Sequence, residues 1–457
     1  MNDIFQQITT ISRVITIIAL IATIILLTLT YIKTNIKSSK NVLKCTFKKN
    51  HANGIIFGKQ GLKYIYSPTT SEGHIFVGGG SGTGKTSALL IPSLRNWTGH
   101  AFVFDISGDI SKNIDTASKI IYEPLSPQTI PFNIFAPIDY MNNDFDRIEA
   151  LAQLAWLIMP ELKHSSANAD YFQNGGRAIL TASLIWGYHT GLDFVDICDI
   201  ITDNSYASLF SKIDNSKDNS AIRYINQFQG NSDTNIAGCK QNADRAISLF
   251  ATNQKVKQSI RRPKLNELSF SCYSIEDYSV YILIPDAKLE LLSPLLHIIT
   301  AQQLNYLADR SSEKTLPILL ALDEFVSLGK LDINPALRKL RKKHIRIMVL
   351  TQSMADIDEL YTRESRMSMM NNFSFKVILS AGDTDSQKYY SDLIGQEDKT
   401  HISTTSGSLF NSRELTKTKS IEKGYIIEPS ELASLGDELI LLYPGGVKRL
   451  HKNFYFK

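Results

Sequence analysis

The chain has 457 residues, 43% hydrophobic and 21% charged, so a large core can be buried and there is room for about two or three domains. The net charge is +4, but residues 1–50 carry seven Lys or Arg against one acid, a net of +6, so the remainder stands near −2. That balance excludes a globally basic body, and any handling of nucleic acid must use a local patch or an oligomeric channel. The four cysteines, Cys45, Cys198, Cys239 and Cys272, have no metal-type spacing and read as free thiols of a reducing compartment.

Val14 to Ile32 contains no charged residue and is nearly all Ile, Leu, Val, Ala and Thr. Nineteen residues at about 1.5 Å each span about 28 Å, which predicts a single transmembrane helix within an anchor of residues 1–36. The apolar stretch is too long for a cleaved signal peptide, and no small-residue cleavage site follows it. Lys33, Lys37, Lys40, Lys44, Lys48 and Lys49 follow the span, whereas Arg13 and Asp3 precede it. The positive-inside rule therefore places the bulk of the chain in the cytoplasm.

Residues 37–73 read as β-hairpin material, with alternating runs at 54–58 and 62–67. The apolar strand Ile75-Phe76-Val77 then enters Gly78 and the run Gly79, Gly80, Ser81, Gly82, Thr83, Gly84, Lys85, Thr86, with Ser87 opening a helix. From Gly79 this reads G-G-S-G-T-G-K-T, which fits the phosphate-loop pattern G-x-x-x-x-G-K-[ST]. Glycines let successive N–H groups turn toward phosphate oxygens, and the helix adds its positive N-terminal end. Lys85 is placed to reach the β and γ phosphates of ATP, and Thr86 to ligate Mg²⁺. Strands at 101–105 and 119–122 follow, so the sequence alternates strand and helix as in a mainly parallel, doubly wound sheet.

From about Asn142 to Arg262 the apolar spacing is helical almost throughout, as in Phe145, Ile148, Leu151, Leu154 and Ile158. This predicts an all-α domain, 141–264, inserted into a nucleotide-binding domain made of 37–140 and 265–457. Strand character resumes at 279–284, and a helix follows over about 289–308. Leu316 to Phe325 is an apolar run ending in Asp323-Glu324, the second nucleotide motif. Asp323 would hold Mg²⁺ and Glu324 would polarise the attacking water. The strand at 345–350 ends in Thr351-Gln352-Ser353, where Gln352 suits a γ-phosphate sensor or is simply a surface polar residue. The basic run 338–346, including Arg341, reads as a trans-acting arginine, as a phosphate-contacting patch, or as a solvated helix face; its helix, Pro335 to Lys343, lies between the Asp323 and Gln352 strands, which would put its end near the ligand edge of the sheet. Residues 401–420 read as an exposed loop or hairpin, and 438–443 and 450–456 as two closing strands.

Together these pieces resemble the coupling proteins of type IV secretion and bacterial conjugation, membrane-anchored ATPases with a RecA-like P-loop NTPase domain. The resemblance covers nearly the whole chain. It rests on the anchor, Gly79–Thr86, Asp105-x-x-Gly-Asp109, the helical insertion, Leu322-Asp323-Glu324-Phe325-x-x-Leu-Gly329, Arg341-Lys342, Thr351-Gln352-Ser353 and Leu393-Ile394-Gly395. It implies a homo-hexameric ring on the inner membrane with ATP between subunits. Single- or double-stranded DNA with its relaxase, or an effector protein, would be brought to the membrane proteins of the secretion channel. It makes Arg341 the candidate trans-acting arginine and Gln352 the γ-phosphate sensor. Departures from the family pattern are one membrane span where two are usual, Ser107 where a Lys is usual, and His344 where a Gly is common. Two other functions fit parts of the sequence: a chromosome-partitioning translocase and a nucleotide-gated membrane scaffold that hands over substrate without pumping.

Overall fold

The computed structural model describes residues 42–456, apart from 117, 163–165, 312, 332 and 407–414. The anchor expected at 1–36 lies outside the described residues, among which no helix is long and apolar enough to cross a membrane. The strands are β1 (Lys44–Thr46), β2 (Gly54–Gln60), β3 (Lys63–Pro68), β4 (His74–Gly78), β5 (His100–Asp105), β6 (Lys119–Tyr122) and β7 (Ser279–Leu283). They continue with β8 (Ile318–Leu322), β9 (Ile345–Thr351), β10 (Phe373–Ile378), β11 (Gln396–Ser406), β12 (Leu415–Tyr425), β13 (Glu438–Tyr443) and β14 (Gly446–His451). All but β11 and β12 form one sheet in the order β1-β3-β2-β14-β13-β10-β4-β9-β8-β5-β7-β6.

From β10 to β6 every neighbour pair is parallel. The α/β fold class with a large parallel sheet is therefore the one observed. The unbroken apolar runs have their reason here, because both faces of these strands are covered. Phe76 of β4 joins one core while Ile75 and Val77 join the other. In β8, Ile318, Leu320 and Leu322 face the first core while Leu319 and Ala321 face the second. The first core continues without a break into the helices between β6 and β7.

Seven helices from Asp144–Ile158 to Gln254–Ile260 occupy that interval, and no named strand interrupts them among the described residues. All seven start on side-chain caps of the preferred N-cap types. Asn143, Ser166, Asp193, Ser205, Asp218, Ser232 and Asn253 each accept a hydrogen bond from a first-turn amide. The longest, Ala167–His189, is held against Asp233–Thr252 by close approaches at Gly175 and Gly176. A Cβ at Gly175 would stand 2.3 Å from Cys239 Sγ. Cys198, Cys239 and Cys272 are buried free thiols and Cys45 is an exposed one.

Two closing elements differ from expectation. The second closing strand is β14, Gly446–His451, paired with β13. Residues 452–456 are not strand; they turn back under the phosphate loop. The segment around 401–420 is a hairpin longer than expected, with β11 and β12 paired over eleven residues each.

His74 ties the start of β4 to its surroundings. Its Nε2 donates to Leu337 O at 2.9 Å, and its Nδ1 accepts from Ile347 N at 3.0 Å, so the ring is needed neutral. Burial, with lesser help from the Arg346 and Arg341 charges, lowers its pKa to about 4. The folded pKa lies below the unfolded one, so this contribution is complete above about pH 6.5 and is lost as pH falls toward about 4. We expect His74→Gln to remove up to about 3 kcal/mol of the acid sensitivity in that window. Denaturant midpoints of both proteins at pH 7.5 and pH 4.5 check it, and equal pH dependence would contradict the assignment.

Candidate nucleotide site

The carboxyl ends of β4, β8 and β9 meet at one edge of the sheet, the edge where ligands of open α/β sheets sit. Gly79 to Gly84 leave β4 there. Gly79 N donates to Thr351 O at 3.1 Å, which fastens the loop to the end of β9. Gly80 N donates to Ser380 Oγ at 3.2 Å, just past β10, and Thr83 Oγ1 closes the turn on Gly80 O at 2.8 Å. Ser81 and Gly82 form its exposed tip.

Gly82 and Gly84 have φ of 72° and 100°, conformations that glycine adopts freely. Gly84 is also tight, since a Cβ there would lie 3.2 Å from both Ala88 Cβ and the Phe454 ring. The helix that follows, Lys85–Leu90, is wound wide as a π-helix before continuing as the α-helix Ile91–Arg95. The first amides of a helix have no partner within it, so this end of the loop is an anion-binding surface.

The chemistry-bearing side chains converge on this loop. Lys85 is buried, with Nζ 2.9 Å from Gly79 O and 3.3 Å from Gly80 O. Thr86 Oγ1 donates to Asp323 Oδ2 at 3.1 Å. Asp323 is buried at the end of β8; burial first and the Glu324 charge second push its carboxyl up to about 6, against the Thr86 hydrogen bond and the Lys85 charge. A hydroxyl beside a carboxylate in that setting is a hard oxygen donor pair, which fits Mg²⁺ and not a softer metal. Among the described residues no group of three or more His, Cys, Asp or Glu could hold a metal, so a cation here would take its remaining ligands from phosphate and water.

Glu324 lies between Lys85 and Gln352. Its Oε1 is 3.8 Å from Lys85 Nζ, and its Oε2 accepts from Gln352 Nε2 at 3.1 Å. Its backbone is left-handed, at φ 46° and ψ 50°, a strained state for a residue with a side chain. The turn that aims the carboxylate thus stores strain of about 1–2 kcal/mol.

Arg341 is not at this edge, contrary to the placement argued from the sequence. The helix Ile333–Lys339 starts near the end of β8 and runs back across the sheet, so the turn Leu340–Lys343 leads into the beginning of β9. Arg341 there lies 3.5 Å from Glu72, ahead of β4, with its side chain 55% exposed. Parallel strands put that end of β9 a strand's length from the loop, so Arg341 cannot serve its own chain's phosphate loop. His344, at φ 57°, occupies the left-handed residue before β9, which is the physical reason a glycine suits that position.

Sequence reasoning missed the loop's supports. Tyr455 N donates to Ser87 O at 3.0 Å, and Phe454 packs on Gly84. Ser380 is some 300 residues from the loop it anchors. Neither carries a motif. Asp105 of the Asp105-x-x-Gly-Asp109 turn is also structural: its buried carboxylate accepts from Ile110 N at 3.2 Å and Ser111 N at 2.7 Å.

The family model for type IV secretory system conjugative DNA transfer matches residues 29–457. The chain belongs to that family. Protein VirD4 of Agrobacterium fabrum is 24% identical over 372 residues, covering 76% of this chain and 53% of that protein. Conjugal transfer protein TraG of Rhizobium radiobacter is 22% identical over 403 residues, covering 82% and 60% respectively. The chain thus spans about half the length of the curated relatives it matches. The unbound bacterial conjugative coupling protein TrwBdeltaN70 superposes with a TM-score of 0.64 at 19% identity, covering 83% of this chain and 85% of that one. Plasmid coupling protein TrwB in complex with ADP and Mg²⁺ gives a TM-score of 0.64 at 18% identity, covering 83% and 85%. At these identities the likeness shows that this chain shares the fold of TrwB.

Proposed function

We propose that this protein is an ATP-hydrolysing coupling protein of a type IV secretion or conjugation machine. The observation that carries the reading is the meeting of Lys85, Thr86, Asp323, Glu324 and Gln352 at one sheet edge. Lys85 and the loop amides hold the phosphates, and Thr86 and Asp323 hold Mg²⁺, which supplies charge neutralisation on the transferring phosphoryl group. Glu324, oriented by Gln352, takes the proton of the attacking water. The superposing TrwB is known in complex with ADP and Mg²⁺ and with non-hydrolysable ATP and GTP analogues, in keeping with this reading.

The same reading divides the chain into the anchor 1–36, a nucleotide-binding domain of 37–140 and 265–457, and a cargo-receiving helical domain of 141–264. The anchor fixes the chain in the inner membrane as one of six subunits in a ring, its bulk in the cytoplasm. The cargo is DNA with its relaxase or an effector protein, and the ring passes it to secretion-channel membrane proteins. ATP turnover of the purified chain, measured with and without single- or double-stranded DNA, tests this reading. Stimulation by DNA marks a motor, whereas nucleotide binding without turnover marks a scaffold.

Arg341 keeps a role in this scheme only across a subunit boundary, since its own loop is at the far edge. Arg341→Ala is expected to bind ATP nearly normally and to hydrolyse it at least about 10³-fold more slowly. Mixing with Glu324→Gln subunits should restore part of the rate, because some interfaces then pair an intact Glu324 with an intact Arg341. Normal hydrolysis with lost DNA binding would make the basic run a nucleic-acid patch instead.

A further inference from the structure

The hairpin of β11 and β12 stands outside the large sheet as a two-stranded ribbon of eleven pairs. At about 3.4 Å per residue it is about 37 Å long. A lone two-stranded ribbon buries little apolar surface and adds little to the stability of a fold, so its length calls for another reason.

Its charge is divided along that length. The four pairs at the base, 396–399 against 422–425, carry Glu397, Asp398 and Glu422 beside Lys399 and Lys423. The seven outer pairs, 400–406 against 415–421, carry Lys417 and Lys419 and no acid, and eight of their fourteen residues are Ser or Thr. Lysines and hydroxyls without competing carboxylates are the groups that contact the phosphate oxygens of nucleic acid. A two-stranded ribbon is also a shape that the major groove of DNA admits. In a body whose charge stands near −2, this is a local patch of the kind that handling nucleic acid requires.

The base of the ribbon is tied to the nucleotide edge. β11 leaves the helix Thr384–Ile394, and β12 leads into the helix Pro429–Ala433. Ile426 N donates to Gly395 O at 3.1 Å, the Tyr425 hydroxyl to Asp392 Oδ1 at 2.9 Å and Lys399 Nζ to Glu428 Oε1 at 2.6 Å, so both strands are fastened where they meet the helices. The same two helices hold the residue after Ser380, whose Oγ receives Gly80 N of the phosphate loop. Ala381 N donates to Leu432 O at 2.8 Å, and Ala381 O accepts from Gln387 Nε2 at 3.1 Å. Ser386 Oγ accepts from Met354 N at 3.0 Å, two residues past Gln352. The ribbon's base and the supports of the loop are therefore joined by a continuous chain of hydrogen bonds.

Taking from the recruitment reading only that DNA is a cargo, we propose that the outer ribbon holds the phosphate backbone of DNA without regard to sequence. The two helices at its base carry that contact to the phosphate loop.

The full chain, without nucleotide, is titrated by fluorescence anisotropy with labelled DNA, single-stranded and duplex, in two unrelated sequences and over a range of salt. Lys417→Gln combined with Lys419→Gln should weaken binding alike for both sequences. It should also lower the slope of log K against log salt by at least about 1.4 for the single strand and about 1.8 for the duplex. Lys417→Arg combined with Lys419→Arg should bind as wild type does. Basal ATP turnover of both variants should be unchanged, so a failed ATPase reading shows as lost turnover and a failed ribbon reading as unaltered DNA binding. Gln387→Ala and Gln387→Glu should keep DNA binding and basal turnover and lower the stimulation of turnover by DNA at least about twofold. Unchanged affinity and salt slope in the glutamine pair overturn the ribbon as a DNA contact. Weakening for one sequence alone overturns the backbone reading. Competition by polyglutamate as strong as that by unlabelled DNA overturns DNA as the partner in favour of an acidic protein. Full stimulation in both Gln387 variants overturns the link to the loop.

Discussion

Lys85→Ala should lower ATP turnover by at least about 10³-fold while leaving the melting temperature within a few degrees of wild type. The reason lies in where the ammonium sits. It is buried, held between Gly79 O and Gly80 O, and 3.8 Å from Glu324. In that low-dielectric pocket a positive charge stabilises negative charge developing on the phosphoryl group far more than it would in water. The fold depends on it little. The loop is independently fastened by Gly79 N on Thr351 O, by Gly80 N on Ser380 Oγ, and by the chain end under Ser87. A turnover assay on the purified variant beside a thermal melt separates the two effects. Turnover within tenfold of wild type would place the active site elsewhere.

Glu324→Gln should bind ATP normally and hydrolyse it about 10² to 10⁴-fold more slowly. The amide preserves the volume and the contact with Gln352 but lacks the basic oxygen that accepts the water's proton. Glu324 also offers a check that a purely structural residue would not pass. Its left-handed backbone costs about 1 kcal/mol or more for any side chain and almost nothing for glycine. Glu324→Gly is therefore expected to be as inactive as Glu324→Gln and yet slightly more stable than wild type. An unchanged rate in Glu324→Gln would mean the water is activated by another group. A less stable Glu324→Gly would mean the Lys85 and Gln352 contacts outweigh the strain.

How much of the site was legible in advance depended on distance along the chain. Gly79 to Thr86 are contiguous, and their spacing alone specifies a turn that only glycines permit. Asp323 and Glu324 were legible because they end a run too apolar for anything but a doubly covered strand. The contact between Gln352 and Glu324 was not legible. It arises only because β9 lies between β4 and β8, and pairing order is not written in any local pattern. Ser380 and the Phe454–Tyr455 tail were invisible for the same reason, since their importance lies wholly in what they pack against.

Arg341 marks the boundary most clearly. Its basic helix was read correctly as lying between the two motif strands, but sequence order does not say at which end of a strand a residue finishes. The helix after β8 must cross the whole sheet for β9 to run parallel to β8, and the crossing carries Arg341 to the edge opposite the loop. By itself, then, the sequence determined the elements, the doubly covered sheet and the candidate phosphate loop with its acidic partner strand, because those follow from local spacing and burial. The tertiary structure decided the strand order, the strained aim of Glu324 and the edge to which each side chain belongs, because those depend on which distant segments pair.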